Sequence, residues 1–172
     1  ENPKVFIPEQ FSNPNNPMVH KYYTALEILE QVAGPIDGFC SGIGTGGTLS
    51  GIGETLKALN PHIEIWAVEP ENAAILSGGA IGTHLQMGIG DGLIPDNLNQ
   101  DIYDDLYLVT DEEAIQTAKD LARLEGLMCG ISSGTNVAAA LKLAKKLGPG
   151  KTVVTILPDT AERYFSTPLF QE

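Results

Sequence analysis

A glycine-rich turn at residues 42–48, Gly-Ile-Gly-Thr-Gly-Gly-Thr, is the feature that most constrains the fold of this chain. It follows an apolar run at 36–40 and precedes a run with helical character that starts near Leu49. Such a turn exposes backbone N–H groups, and the positive end of the helix dipole adds to their attraction for anions. The segment therefore predicts a strand, an anion-binding turn and a helix in succession, with a phosphorylated small molecule as ligand.

The rest of the chain alternates between apolar runs of strand length and runs of helical length. Strands are predicted at 36–41, 63–69, 106–109 and 153–157, and helices at 17–32, 49–59, 111–125 and after residue 134 to about 147. A capping box at residues 110–113 opens the third helix, and a Gly- and Pro-rich loop occupies residues 70–99. This alternation predicts an α/β fold, a three-layer parallel sheet with helices on both faces.

Charge and cysteine content narrow the classes of partner. Twenty-two acidic residues against 10 basic ones give a net charge of −12, which argues against nucleic acid and anionic membrane surfaces. No apolar run approaches the ~20 residues of a membrane span. Cys40 and Cys129 are predicted to be buried free thiols in a reducing cytoplasm. The three histidines are scattered, and none has a carboxylate or cysteine at metal-ligand spacing in the sequence, so no metal site is predicted.

The glycine turn by itself permits more than one ligand. Gly42, Gly44 and Gly47 satisfy the dinucleotide fingerprint, and Glu69 ends the next strand at about the right place to bond a ribose hydroxyl. A tight turn with no ligand is the simpler alternative. Thr45 and Thr48, however, place two hydroxyls beside the amides, which suits a single terminal phosphate better than a pyrophosphate.

Seven segments, taken in order, carry a resemblance to a known family. They are residues 10–17 (QFSNPNNP), 44–48 (GTGGT), 67–70 (AVEP), 76–79 (LSGG), 88–95 (GIGDGLIP), 130–134 (GISSG) and 162–167 (ERYFST). Their order and spacing closely resemble the cysteine synthases, or O-acetylserine sulfhydrylases, of the fold-type II, tryptophan-synthase-β-like pyridoxal-phosphate enzymes. The resemblance covers essentially the whole chain.

The resemblance assigns cofactor-binding roles to two segments. It implies that the phosphate of pyridoxal 5′-phosphate is held by Gly44, Thr45, Gly46, Gly47 and Thr48. It also implies that Ser132 bonds the pyridine nitrogen, although capping of the following helix is the structural alternative. Ser133 is predicted to be that helix cap.

Two further residues receive substrate-binding roles from the resemblance. Gln10 matches a glutamine that helps to bind the substrate carboxylate, and Gly88 lies in a loop that lines the substrate entrance. A surface polar residue and an ordinary loop are the respective alternatives. Asp91 departs from the family pattern, because many members have a small residue there.

The implied activity is that of a transferase in cysteine biosynthesis, which replaces the acetate of O-acetylserine with sulfide. Members carry the Schiff-base lysine in an N-terminal Ser-x-Lys motif, and no lysine of this sequence follows a serine at that spacing. Residues 1–172 are therefore interpreted as the larger, C-terminal part of a two-domain enzyme, an incomplete fold with no catalytic residue of its own.

The resemblance also implies partners, and it leaves other functions open. Family members are usually homodimers, and cysteine synthases bind the C-terminal tail of serine acetyltransferase in the active-site cleft. The alternatives are a cystathionine β-synthase-type replacement, an NAD-binding Rossmann module and a non-catalytic module that docks on a partner.

Overall fold

The computed structural model describes residues 4–171, so the first three residues of the opening segment and Glu172 lie outside it. Its centre is a four-stranded sheet in the order β3-β2-β1-β4, in which every pairing is parallel. The strands are β1 (Gly38–Gly42), β2 (Glu64–Pro70), β3 (Asp105–Val109) and β4 (Val153–Thr155). The predicted α/β class is confirmed.

Helices follow the strands in the predicted alternation. The α-helices are α1 (Asn15–Val19), α2 (Ala25–Gln31), α3 (Gly47–Leu59), α4 (Asp111–Asp120) and α5 (Ile131–Leu147). A π-helical turn at His20–Thr24 joins α1 to α2, and another at Leu121–Glu125 extends α4. Short 3₁₀ turns lie at Glu71–Ala73 and Ala161–Tyr164. None of the helices in residues 4–171 combines the length and apolar character that a bilayer span requires.

Alternate residues of the central strands face two separate cores. Phe39 and Ile65 pack with α3 and the α2 side of the sheet, whereas Cys40 and Trp66 pack with α4 and α5. A strand with apolar side chains on both faces belongs in the middle of a covered parallel sheet. The predicted three-layer arrangement is therefore confirmed, with helices on both faces.

Several element boundaries differ from the predicted ones. The first helical run begins at Asn15 rather than residue 17, and its π-helical turn at His20–Thr24 was not predicted. β4 ends at Thr155 instead of continuing to 157. The predicted cap of α4 is confirmed, because the Thr110 side chain accepts a hydrogen bond from the backbone N–H of Glu113 at 3.1 Å.

The prediction that Ser133 caps the last helix is wrong. α5 begins at Ile131, its N-cap residue is Gly130, and no side chain caps it, so Ser132 and Ser133 lie in the first turn. Gly130 is the cap because its backbone is extended, with φ of −75° and ψ of 173°, whereas the residues after it are helical. A Cβ at this position would collide with Asp159 Oδ1 and would lie 2.6 Å from Tyr164 Cε2, so close packing restricts the cap position to glycine.

Candidate phosphate and cofactor site

The glycine turn connects the carboxyl end of β1 to the N-terminus of α3. β1 is an inner strand between β2 and β4, so its following loop lies where the connections diverge to opposite sides of the sheet. Ligands of open α/β sheets bind at such a switch point. Gly46 adopts a left-handed conformation, with φ of 79°, and is the N-cap of α3. Glycine accepts this conformation without the strain that other residues incur.

The turn borders a cavity of about 340 Å³. Its lining comprises His20, Thr24, Ser41, Gly42, Gly44, Thr45, Gly46, Thr48, Leu49, Gly88, Ile89, Asn136, Ile156 and Pro158. Four of the five residues assigned to phosphate binding are thus brought together on one wall. The fifth, Gly47, is buried at the first position of α3.

Glycine is required in the turn because neighbouring backbone and side chains occupy the space of a Cβ. A Cβ on Gly44 would lie 2.5 Å from the carbonyl oxygen of Gly88, and one on Gly46 would lie 2.7 Å from Leu98 Cβ. At Gly47 a Cβ would collide with the Asn16 side chain. The close packing therefore restricts these three positions to glycine.

Polar side chains from the first helical run hold the two threonine hydroxyls. The Asn16 amide donates to the Thr45 hydroxyl at 2.8 Å. His20 bridges two hydroxyls, since its Nε2 lies 3.3 Å from Thr48 Oγ1 and its Nδ1 lies 3.1 Å from Thr24 Oγ1. Burial lowers the pKa of His20, which favours the neutral ring. A neutral imidazole accepts from one hydroxyl and donates to the other, so it fixes the directions of both.

Ser132 lies in an adjoining cavity of about 480 Å³. It is 4% exposed. This second cavity shares Gly88, Ile89 and Pro158 with the first. The glycine turn and Ser132 therefore face neighbouring parts of one region, separated by largely apolar residues.

The two residues predicted to bind substrate occupy different positions relative to this region. Gly88 lines both cavities, with a φ of 90° that suits glycine. The Gln10 side chain is exposed, but its backbone carbonyl accepts from the amides of Asn16 and Asn97 at 2.8 and 2.9 Å. Asn16 therefore links the Gln10 backbone to Thr45.

Asn16, His20 and Asn136 are site residues that the sequence did not reveal. Asn136 accepts from the backbone N–H of Gly42 at 2.7 Å, across 94 positions of sequence. Only the position of Asn16 in the Asn- and Pro-rich segment at 10–17 hinted at a role. The other two become recognisable when the fold places them against the turn.

Glu69, the candidate ribose ligand, has its carboxylate committed to the protein. It is 4% exposed and accepts from the backbone N–H groups of Leu76 and Ser77 at 2.8 and 3.2 Å. The Ser77 hydroxyl donates to it as well, at 3.0 Å. A carboxylate with three protein donors is a loop anchor, and the geometry does not favour a dinucleotide.

The chemistry of the two cavities is also limited by the residues that do not line them. Across residues 4–171, the lining of the two cavities contains no lysine, and no group of three or more His, Cys, Asp or Glu is arranged to hold a metal. Cys40 and Cys129 are both buried and unpaired, as predicted. Burial raises the pKa of Cys40 to about 12, so this thiol is unreactive at neutral pH.

Comparison with known proteins yields close relatives. The family model described as "Pyridoxal-phosphate dependent enzyme" matches residues 1–159. A cysteine synthase of Staphylococcus aureus is 51% identical over 166 residues, which is 96% of this chain and 54% of the relative. The chain thus spans about half the length of the curated relatives it matches.

Solved structures give the same picture. The cysteine synthase of Entamoeba histolytica is 42% identical, with a TM-score of 0.91 over 98% of this chain and 50% of that one. An O-acetylserine-dependent cystathionine β-synthase from Helicobacter pylori is 39% identical, with a TM-score of 0.93 over 99% of this chain and 55% of that one. Sequence, fold and site geometry agree, and the chain belongs to the family of pyridoxal-phosphate dependent enzymes.

Proposed function

We propose that this chain binds pyridoxal 5′-phosphate, with its phosphate on the glycine turn and its ring nitrogen at Ser132. The observation that carries the proposal is the pair of adjoining cavities, one lined by the turn and the other by Ser132. The ligand has a dianionic phosphate at one end and a flat, largely apolar ring at the other. The available groups match this division.

The phosphate end is supported by the chemistry of the turn. Gly44, Gly46, Thr45 and Thr48 line one cavity at the N-terminus of a 13-residue helix, and they offer backbone amides and two hydroxyls. Donors of this kind make charge-assisted hydrogen bonds to a phosphate, and the helix dipole adds favourable electrostatics. Because the whole chain carries a net charge of −12, this local concentration of donors is what offsets repulsion of a dianion.

The ring end is supported by Ser132 and by apolar residues between the two cavities. Ile89 and Pro158 line both cavities and offer surfaces for a ring. Pyridoxal phosphate, when bound, withdraws electrons from the substrate carbon that loses a proton. A neutral serine hydroxyl holds a ring-nitrogen proton less firmly than a carboxylate does. With pyridoxal phosphate bound, Ser132 would hold the ring nitrogen through a neutral hydroxyl, and the ring would then withdraw electrons less strongly than a ring held by a carboxylate.

For the whole protein we propose a cysteine synthase activity, in which sulfide replaces the acetate of O-acetylserine to give cysteine. The cysteine synthases among its relatives support this choice. Gln10 would help to bind the substrate carboxylate, and Gly88 would line the entrance through which the substrate arrives. Since no lysine lines the cavities within residues 4–171, we expect the 172-residue chain by itself to be inactive.

Two properties of the whole protein follow from the same likeness. We propose that the protein is a homodimer and that it is cytoplasmic. Two buried, unpaired cysteines support the cytoplasmic location. The C-terminal tail of serine acetyltransferase is a proposed partner in the same cleft. A pull-down with that tail, with and without added pyridoxal phosphate, tests whether the two compete.

A cystathionine β-synthase-type reaction is the second candidate, because a structure with that name is 39% identical to this chain. It differs only in the nucleophile. The cysteine synthases are slightly more similar, at 42 and 51% identity. Incubating the whole protein with O-acetylserine and either sulfide or homocysteine, and comparing kcat/KM, separates the two activities.

Cofactor binding is tested directly by calorimetric titration of the chain with pyridoxal phosphate. Replacing Thr45 or Thr48 by Val removes one hydroxyl donor, and we expect each to weaken binding about tenfold. Thr55→Val is the matched control, because its hydroxyl bonds the carbonyls of Lys21 and Gly51, and Thr55 lines neither cavity. Equal losses in the control and the two site variants would contradict the proposal.

A further inference from the structure

Asn136 joins three parts of the site through its side chain. Its Oδ1 accepts from the backbone N–H of Gly42 at 2.7 Å, and its Nδ2 donates to the carbonyl of Ile156 at 2.8 Å. Gly42 begins the glycine turn, Asn136 lies on α5, and Ile156 follows β4. The residue is 2% exposed, and it lines the cavity of the turn.

Asn136 is also one helical turn beyond Ser132. Residues separated by four positions lie on the same face of a helix. The face of α5 that carries Ser132 is therefore the face that Asn136 fastens to Gly42. The β1 strand reinforces the contact, since the Cys40 thiol lies 3.6 Å from the Asn136 carbonyl oxygen.

We propose that Asn136 is a positioning residue that fixes the spacing between the glycine turn and Ser132. The inference rests on the proposed function of these two groups, and it concerns how they act together. An amide serves this purpose because it accepts and donates at once, which satisfies one backbone N–H and one backbone carbonyl in a buried place.

A ligand that uses both ends of the site depends on this spacing, whereas a ligand that uses one end does not. Inorganic phosphate needs only the amides and hydroxyls of the turn. Pyridoxal phosphate needs the turn and Ser132 at a set separation. Loss of the Asn136 contacts is therefore expected to lower affinity for pyridoxal phosphate much more than affinity for inorganic phosphate.

The experiment compares the two ligands by calorimetry with the full 172-residue chain. Asn136→Leu keeps a similar volume and removes both hydrogen bonds. We expect its dissociation constant for pyridoxal phosphate to rise at least about tenfold, and that for inorganic phosphate to rise by a clearly smaller factor, because phosphate uses the turn alone. The ratio of the two changes is the measured quantity.

Thr135→Val is the matched control, because Thr135 is the adjacent buried residue and its hydroxyl donates to Gln86 Oε1 at 2.8 Å. It loses a buried hydrogen bond without touching the glycine turn. The ratio of its dissociation constants for pyridoxal phosphate and inorganic phosphate is expected to stay at the wild-type value. If Asn136→Leu fails to fold, Asn136→Ala replaces it. Alanine also lacks both hydrogen bonds and adds no charge, so the ratio still reports the lost contacts with Gly42 and Ile156.

The possible outcomes separate this inference from the proposed function. A wild-type chain that binds neither ligand contradicts the proposed function itself. A wild-type chain that binds both, with an Asn136 variant that weakens both equally, overturns the positioning role and leaves the proposed function standing. Selective weakening of pyridoxal phosphate in the Asn136 variant and not in the Thr135 control supports the inference.

Discussion

The carbonyl oxygen of Gly88 lies 2.5 Å from the point that a Cβ on Gly44 would occupy. Real Cβ atoms do not approach a carbonyl oxygen this closely, so an alanine at position 44 displaces backbone. The two glycines come from different segments, the glycine turn and the loop that lines both cavities. Their contact makes the shape of the turn depend on the position of the 88–90 loop.

Gly44→Ala is therefore expected to lower pyridoxal phosphate affinity about tenfold or more and to reduce stability by about 1–3 kcal/mol, since overpacking shifts backbone. Gly34→Ala is the control, because it has a φ of 91° and nothing within 4 Å of a Cβ. The control loses stability through backbone strain alone, with unchanged affinity. Calorimetry measures the affinity of each variant for pyridoxal phosphate, and urea unfolding measures its stability. Unaltered affinity in Gly44→Ala would be inconsistent with a close-packed turn.

Asn16→Ala is expected to weaken binding of inorganic phosphate and pyridoxal phosphate by a similar factor of about three to ten, the value of one hydrogen bond. The Asn16 amide donates to Thr45 Oγ1 at 2.8 Å, so its loss frees the hydroxyl to rotate. Asn15→Ala is the control, because Asn15 is an exposed neighbour on the same helix and its side chain makes no hydrogen bond within residues 4–171. Equal affinities in wild type and Asn16→Ala would show that Thr45 needs no orienting partner.

Asp91 places a negative charge beside Gly44 of the glycine turn. Its Oδ2 lies 4.0 Å from the Cβ position on Gly44, and its side chain is exposed. Asp91→Asn is expected to tighten inorganic phosphate binding about threefold at low salt, since it removes a like charge next to the proposed phosphate-binding turn. The gain is expected to vanish near 1 M salt, where screening is strong.

Glu125→Gln controls for the change in total charge, because Glu125 is an exposed residue at the end of the π-helical turn after α4. It removes the same charge without lining the phosphate cavity. If Glu125→Gln tightens binding as much as Asp91→Asn does, the effect comes from the overall charge of −12 and not from the site.

The sequence was informative wherever the signal was local. Alternating apolar runs predicted the strands, and the order of apolar run, glycines and helical run predicted the turn between β1 and α3, because both depend on neighbours a few residues apart. Thr110 was identified as a cap for the same reason, and the model confirms it. Ser133 was assigned wrongly, since the extended backbone of the cap position falls on Gly130, and the sequence does not show which residue before the helix adopts it.

The polar contacts around the turn depend on the tertiary fold. Asn16 reaches Thr45 across 29 positions, His20 reaches Thr48 across 28, and Asn136 reaches Gly42 across 94. A single amide or imidazole in a sequence carries no mark of such a distant partner. The interpretation of Glu69 as a ribose ligand came from the sequence alone, which does not show that its carboxylate accepts from the backbone at 76 and 77. Those contacts form only in the folded loop.

Cys40 is expected to make stability depend on alkaline pH. Burial raises its pKa from 9.0 to about 12. The thiol is protonated in both states below pH 9, so stability is unaffected there. Above pH 9 the unfolded chain loses a proton that the folded chain retains. This group's contribution to stability is therefore lost as pH rises from about 9 to about 12.

Cys40→Ala removes this titration. It is expected to reduce the slope of the free energy of unfolding against pH by at most about 1.4 kcal/mol per pH unit, the value for one proton. Urea unfolding at half-unit intervals from pH 8 to pH 11 measures the slope for both proteins. Because the alanine also leaves a cavity at every pH, the comparison uses slopes and not absolute stabilities. Parallel curves for the two proteins would exclude Cys40 as the source.

Glu69→Gln tests the loop-anchor role against the dinucleotide hypothesis. The carboxylate accepts three hydrogen bonds from Leu76 and Ser77, and an amide replaces one acceptor oxygen with a donor that faces other donors. We expect a loss of about 1–3 kcal/mol in the free energy of unfolding, measured by urea titration. Glu71→Gln, an exposed neighbour, is expected to change stability by less than about 0.5 kcal/mol. A dinucleotide site predicts the opposite: NAD binds the wild-type chain and is lost in Glu69→Gln, whose stability stays at the wild-type value.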